Sequence, residues 1–168
     1  FSPDGQTLVS GGDDAKVRFW SLATYKCERS FQGYTRRIRS VSLSPNRSSL
    51  ITGGDDTIIR FWDVDNYRCL HDFEEHTGLI HSVAFSPDGK FFASSGDDTT
   101  VRLWDVKSFK CIHSFKGHTG SVRSVAFSPD SKTLISASMD TTLMLWDINT
   151  LEHLHSFRDH TSVIRSVA

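Results

Sequence analysis

The sequence predicts an all-β fold built from four copies of one small antiparallel sheet. Sliding the chain against itself by 42 residues brings all four prolines into one column and all four tryptophans into another. A fixed period of this length indicates a repeat architecture, in which each unit buries its faces against its neighbours. Within a unit, short segments rich in Val, Ile, Phe and Thr alternate with turn residues, which is the pattern of strands and not of helices. The tryptophan column contains Trp20, Trp62, Trp104 and Trp146.

The repeat also predicts the domain organisation. Four units of 42 residues account for all 168 residues without an insertion or a deletion. Because no unit can bury both sheet faces alone, we expect one domain over residues 1–168. Its repeats are residues 1–42, 43–84, 85–126 and 127–168.

The third unit illustrates how each strand follows from the residues. Its first turn, residues 86–89, contains Pro87, which fixes one φ angle, and Gly89, which tolerates a positive one. A second tight turn lies at residues 96–98. Four antiparallel strands remain for each unit, and in the third unit we expect them at residues 80–85, 91–95, 100–104 and 110–115.

Composition and charge limit the classes of partner. The chain is 38% hydrophobic, which is enough apolar material for a folded core. Its formal net charge of -1 gives no reason to expect a nucleic acid or a membrane as a partner. Three cysteines at one repeat position favour buried thiols in a reducing, cytoplasmic compartment over a disulfide framework. They are Cys27, Cys69 and Cys111.

Several segments of the chain resemble those of the WD-repeat proteins. They include Gly117-His118, residues 122–130 and residues 101–105, together with Ser94 and Asp98, and the resemblance extends over the entire chain. It implies a β-propeller, in which blades of four strands are arranged around a central channel. The function expected on this basis is a scaffold for protein-protein interactions, without enzymatic activity and without a cofactor.

The resemblance further implies a structural hydrogen-bond network in each blade. The network links a loop histidine, a hydroxyl on the second strand, an aspartate in a turn and the indole N–H of the tryptophan, so that each buried polar group has a partner. In the second unit Tyr34 stands in place of the histidine, so we expect that blade to be the weakest and Asp56 to contribute less than Asp98. The sets are His76, Ser94, Asp98 and Trp104; His118, Ser136, Asp140 and Trp146; Thr52, Asp56 and Trp62; and His160 with Ser10, Asp14 and Trp20.

Two chemical interpretations of these residues are less favoured. Ser, His and Asp are the residue types of an acyl-transfer triad, but the set recurs along the chain, whereas an enzyme needs one site. The cysteine column continues as His153 in the fourth unit, yet zinc ligands must converge on one ion and equivalent positions of different blades lie far apart. We therefore expect no catalytic residue and no metal site.

A further column of residues is mainly basic and lies near the start of the innermost strand, which the resemblance places at the mouth of the channel. We call the face that carries this column the top face. Guanidinium groups bind planar anions by bidentate hydrogen bonds, so we expect the top face to bind acidic or phosphorylated peptides. The alternative is that these side chains pair with the periodic aspartates Asp13, Asp55 and Asp97 and join neighbouring blades. The basic residues are Arg39, His81, Arg123 and Arg165, with Arg36 and Arg37 in the adjoining loop.

The ends of the chain favour a ring that two copies close. Residues 163–168 match an innermost strand, and the sheet that they would complete contains the strands at residues 7–11, 17–20 and 27–31. Exposed strand edges and apolar faces at both ends promote association. Two chains related by a two-fold axis would form a homodimeric, eight-bladed ring from two half-propellers. The alternative is a ligand-free, self-assembling propeller fragment, natural or engineered.

Overall fold

The computed structural model describes residues 1–32 and 36–168, and the regular structure of these residues consists of strands in four antiparallel sheets. The first sheet contains β1 (Thr7–Gly11), β2 (Lys16–Ser21) and β3 (Cys27–Gln32). The second contains β4 (Ile38–Leu43), β5 (Ser49–Gly54), β6 (Ile59–Asp63) and β7 (Arg68–Phe73). The third contains β8 (Ile80–Phe85), β9 (Phe91–Gly96), β10 (Val101–Asp105) and β11 (Lys110–Phe115). The fourth contains β12 (Val122–Phe127), β13 (Thr133–Ser138), β14 (Leu143–Asp147) and β15 (His153–Phe157).

The four sheets follow one another in sequence order, and each packs against the next. Within each sheet the strands pair in sequence order, so that every sheet is a simple meander. The first strands β4, β8 and β12 pack beside one another, whereas β7, β11 and β15 lie at the opposite edges of their sheets. The first strands are therefore innermost, and the residues of the top face lie near their starts and in the loops that enter them.

The hydrophobic core lies between neighbouring sheets. Val17 and Phe19 of the first sheet share a buried cluster with Leu50 and Trp62 of the second. Equivalent clusters join the second sheet to the third and the third to the fourth. The middle sheets thus bury both faces, as expected for repeat units that cannot form a core alone. The cluster between the second and third sheets includes Phe61, Phe73, Phe92 and Trp104. The cluster between the third and fourth sheets includes Leu103, Phe115, Leu134 and Trp146.

The structure confirms the all-β fold, and the strands of the third sheet match the expected ranges to within one residue at each end. Residues 163–168 form no strand in this chain, and the first sheet has three strands. Its expected completion by residues 163–168 of a second copy stays a prediction. One expectation was wrong. The cysteines are not buried, because most residues of the outermost strands β3 and β7 face solvent. Cys27 and Cys69 are exposed and Cys111 is half-buried.

Residues 163–168 nevertheless occupy the place of a next innermost strand. The Val167 N–H donates to Ser124 Oγ at 3.2 Å, and the Ile164 N–H donates to the Ser138 carbonyl at 3.1 Å. The first contact repeats, further along the chain, the bond from the Val83 N–H to Ser40 Oγ at 3.0 Å that joins β8 to β4. The segment is therefore positioned against the fourth sheet as β8 is positioned against the second.

Candidate functional site

The expected hydrogen-bond set of the third sheet comes together in the structure. His76 is buried in the loop before β8, and its Nδ1 lies 2.7 Å from Asp98 Oδ2. Its Nε2 lies 2.7 Å from Ser94 Oγ, which also accepts the indole N–H of Trp104 at 2.9 Å. A neutral imidazole satisfies all four groups, because Nδ1 donates to the carboxylate while Nε2 accepts the serine proton.

The fourth sheet repeats this arrangement. His118 Nδ1 lies 2.8 Å from Asp140 Oδ2 and its Nε2 lies 2.8 Å from Ser136 Oγ, to which Trp146 donates at 2.9 Å. Burial lowers the pKa of His118 despite the hydrogen bond to Asp140, so the imidazole is neutral at pH 7. Burial alone would raise the pKa of Asp140, but hydrogen bonds from Thr142, from backbone N–H groups and from His118 lower it to about 2.

The carboxylate of Asp98 is held ionised in the same way. Its burial opposes ionisation, yet hydrogen bonds from His76 and Thr100 bring its pKa well below the ordinary value. The Ser94 hydroxyl, which would be the nucleophile of a triad, is fully buried and bonded to two neighbours. Such a closed set satisfies its own polar groups and locks the loop, the turn and two strands of one blade together.

An arginine binds the turn aspartate in the second sheet. Trp62 donates to Thr52 Oγ1 at 2.8 Å, as its counterparts do in the later sheets. Asp56 is bound by Nη1 of Arg60 at 2.6 Å, and both side chains are nearly buried. Tyr34, which stands at the histidine position, lies outside the described residues. The turn aspartate of this blade thus has a charged partner that the sequence analysis did not anticipate.

The set that should include His160 is not formed within one chain. Trp20 donates to Ser10 Oγ at 2.8 Å, but Asp14 is bound by Nη2 of Arg18 at 2.5 Å. His160 is exposed. The segment that follows it is bonded to the fourth sheet. The expectation that His160 of a second copy completes this set therefore stays a prediction.

On the top face, two members of the basic column have an aspartate partner. Arg39 Nε donates to Asp55 Oδ1, and His81 Nε2 lies 2.6 Å from Asp97 Oδ1. Each of these pairs lies within one sheet, so it does not join blades as the alternative interpretation supposed. In the adjoining loop, Arg37 forms an exposed ion pair with Asp13 at 3.3 Å, and this pair does connect the second sheet to the first.

Arg123 departs from this pattern. Its Nη2 lies 2.8 Å from the Met139 thioether, because methionine stands where the other repeats have an aspartate. Its Nη1 lies 3.2 Å from His81 Nδ1, the ring nitrogen that accepts when Nε2 donates to Asp97. Burial lowers the pKa of His81. The hydrogen bond to Asp97 and its negative charge raise this pKa, but the positive charges of Arg123 and Arg39 lower it further. His81 is therefore neutral at pH 7, and the column carries fewer charges than its sequence suggests.

The other predicted members of the top face are Arg36 and Arg165. Both are exposed, and neither forms an ion pair with another residue of ranges 1–32 and 36–168. Sequence reasoning missed the role of Met139. The signal was that Met139 stands at the position where the other three repeats have an aspartate. It also missed Arg18 and Arg60, which follow the turn aspartates by four residues.

A cavity of about 550 Å³ lies between the first and second sheets. Its apolar wall includes Phe19, Leu43 and Tyr67, and the Arg29 guanidinium lies 5.8 Å from the centre of the Tyr67 ring. In the next groove the larger Phe85, which replaces Leu43 in the repeat, packs against other aromatic rings. The cavity lies where the repeat has the smaller Leu43 in place of a phenylalanine.

The described part of the chain contains no group of three or more His, Cys, Asp or Glu side chains that could hold a metal ion. Over the same residues, no helix has the length and apolarity that a membrane span requires.

Comparison with known proteins identifies the repeat. The family pattern described as "WD domain, G-beta repeat" matches four consecutive segments, residues 1–21, 25–63, 67–105 and 109–147. Among curated proteins, the ribosome biogenesis proteins bop1-A and bop1-B of Xenopus laevis are each 59% identical to this chain over 29 residues. The ribosome biogenesis protein bop1 of Danio rerio is 55% identical over 31 residues. These matches span 17% to 18% of this chain and 4% of the length of each relative.

Proposed function

The chain belongs to the WD domain, G-beta repeat family, and from this premise we propose that it binds anionic segments of partner proteins through its top face. WD-repeat proteins generally act as non-enzymatic scaffolds for protein-protein interactions. The proposal rests on the arginines at one end of the sheets. Three of them, Arg36, Arg123 and Arg165, have no carboxylate partner among the described residues. Unpaired guanidinium groups on a rigid sheet scaffold favour carboxylate or phosphate groups of a partner.

Peptide binding tests this proposal directly. We expect the chain to bind an acidic or a phosphorylated peptide, measured by fluorescence anisotropy, and not a basic peptide of the same length. Changing Arg39, Arg123 and Arg165 together to Ala should weaken binding at least about tenfold, because charge-assisted hydrogen bonds are lost. Higher salt should weaken it in the unchanged chain as well. If the triple variant remains folded and binds as before, the top face is not the binding surface.

The relatives add little to the choice of partner. The matched segment of 29 residues is shorter than one repeat, so it supports the repeat itself and carries no role in ribosome biogenesis to this chain. A reducing, cytoplasmic location remains part of the proposal, and three cysteines without a disulfide partner are consistent with it.

A second candidate function, self-association, is favoured by the unequal ends of the structure. Among the described residues, no strand pairs with the edge of β1 that faces away from β2, and residues 163–168 lie in the place of an innermost strand. We propose that residues 163–168 of one copy pair with β1 of another, closing an eight-bladed ring of two chains. The repeat register then sets Val167 opposite Ser10, as Val41 lies opposite Thr52 in the second sheet.

The same pairing would complete the hydrogen-bond set of the first sheet. His160 of one copy would approach Ser10 and Asp14 of the other, and would compete with Arg18 for the Asp14 carboxylate. Deleting residues 161–168 and measuring the mass in solution tests this closure. A chain that only self-associates would form the ring and bind no peptide, so the two measurements separate the two candidate functions.

A further inference from the structure

The members of the basic column on the top face are not equivalent. Arg39 and His81 each contact the aspartate that follows sixteen residues later, Asp55 and Asp97. The contact between Arg39 and Asp55 is a charge-neutralising ion pair, and Arg39 therefore has little to gain from an added carboxylate. The second and third repeats thus show where a carboxylate lies beside a residue of the basic column.

At the equivalent place beside Arg123 the carboxylate is missing. Met139 occupies the position, and its thioether is a weak acceptor that cannot balance a guanidinium charge. The second contact of Arg123 is to His81, whose Nδ1 accepts from Nη1 at 3.2 Å. The Asp97 carboxylate nearby is already bonded to His81 and to the Ser121 hydroxyl. No ion pair to Arg123 exists among residues 1–32 and 36–168, although its side chain is half-buried.

We infer that Arg123 is the anchor of the top face and that it binds a carboxylate side chain of a protein partner, next to the Met139 thioether that stands where the neighbouring sheets have Asp55 and Asp97. This inference rests on the proposed function of the top face. A carboxylate matches the planar guanidinium with two parallel hydrogen bonds, for which Arg123 has free N–H groups. Met139, with 41% of its surface exposed, lies beside this position.

The exposed methionine defines the rest of the partner segment. A flexible thioether side chain adapts to apolar groups of varied shape. The expected ligand is therefore a peptide with Asp or Glu next to an apolar residue. Since the same Arg could bind a phosphate, the experiment compares a Glu-Leu peptide with a phosphoserine-Leu peptide of equal length.

The decisive variant restores the repeat pattern. Met139→Asp supplies the missing carboxylate within the chain. We expect both this variant and Arg123→Ala to bind the Glu-Leu peptide about tenfold more weakly, or worse, than the unchanged chain. Met139→Asn is the matched neutral control and should bind within about threefold of the unchanged chain. Arg39→Ala should also change binding by less than about threefold, because that arginine is already neutralised. Thermal unfolding of each variant verifies the fold.

The outcomes distinguish this inference from the proposed function. If Arg39→Ala, Arg36→Ala or Arg165→Ala loses as much binding as Arg123→Ala, or if Met139→Asp binds normally, the anchor is not Arg123 and the top face remains the binding surface. Tighter binding of the phosphoserine peptide than of the Glu peptide overturns the choice of carboxylate. If the unchanged chain binds neither peptide, the inference and the proposed top-face function fail together.

Discussion

Ser94 and Ser95 are neighbours on β9, and both are fully buried, yet their hydroxyls differ in what they do. Ser94 Oγ joins His76 to Trp104, whereas Ser95 Oγ has no hydrogen-bond partner within the described structure. The repeat reflects this difference. The position of Ser94 carries a hydroxyl in every unit, while the position of Ser95 carries Ala137 in the fourth unit and glycine in the first two.

The pair provides a matched test of the hydrogen-bond set. Ser94→Ala should lower the free energy of unfolding by about 1–3 kcal/mol, because it leaves buried His76 and Trp104 groups without a partner. Ser95→Ala should change it by less than about 0.5 kcal/mol or raise it, because it removes a hydroxyl that is buried and unpaired. Denaturant titration measures both. Equal losses in the two variants would contradict the role assigned to the set.

The residue scale also shows where sequence reasoning reached its limit. The four-residue sets of the third and fourth sheets could be predicted, because repetition marks their members. The partners of Asp14 and Asp56 could not, because Arg18 and Arg60 follow by four residues in a turn whose shape brings them back to the carboxylate. Whether Asp56 contributes less than Asp98 therefore stays a prediction, and its ion pair with the nearly buried Arg60 argues for a smaller difference.

At the scale of elements, the turns between the second and third strands hold an unexpected backbone conformation. The sequence predicted a tight turn at residues 96–98, but the left-handed residue is Thr99, with a φ of 63°. Thr57 and Thr141 adopt the same conformation in their repeats. A β-branched residue is strained there, whereas glycine is not.

Thr99→Gly should consequently stabilise the chain by about 0.5–1 kcal/mol, since the relief of strain exceeds the entropy that glycine adds to the unfolded chain. Thr100→Gly is the control. Its hydroxyl donates to Asp98 Oδ1 at 2.9 Å, so its loss should destabilise the chain by about 1 kcal/mol or more. Thermal unfolding compares the two variants. A Thr99→Gly variant as unstable as Thr100→Gly would show that the threonine side chain stabilises the turn in another way.

Strand positions were predictable because hydrophobic alternation and turn residues recur with the repeat. The observed β8 and β11 have the expected bounds. The exception is the segment 163–168, which has the sequence of an innermost strand but no neighbouring strand to bond with in this chain. The sequence indicates the propensity to form a strand, but a strand forms only where a neighbouring strand provides backbone hydrogen bonds.

At the scale of the whole molecule, stability depends on contacts between neighbouring sheets. Each core cluster spans two sheets, so within residues 1–32 and 36–168 the outer faces of the two end sheets and the free edge of β1 have no packing partner. In such arrays a free end is unfavourable unless another unit covers it. Closure by a second copy would cover both ends and complete the first sheet.

The measurement that tests this account most directly is the mass of the chain in solution, determined by light scattering over a range of concentrations. A ring closed by two copies should have a mass of twice the 18.9 kDa of one chain. A variant without residues 161–168 should lose the dimer, because the edge of β1 then has no strand to pair with, and should dissociate or aggregate. A full-length mass near 18.9 kDa at all concentrations would contradict the closure, and three times that value would indicate a larger ring.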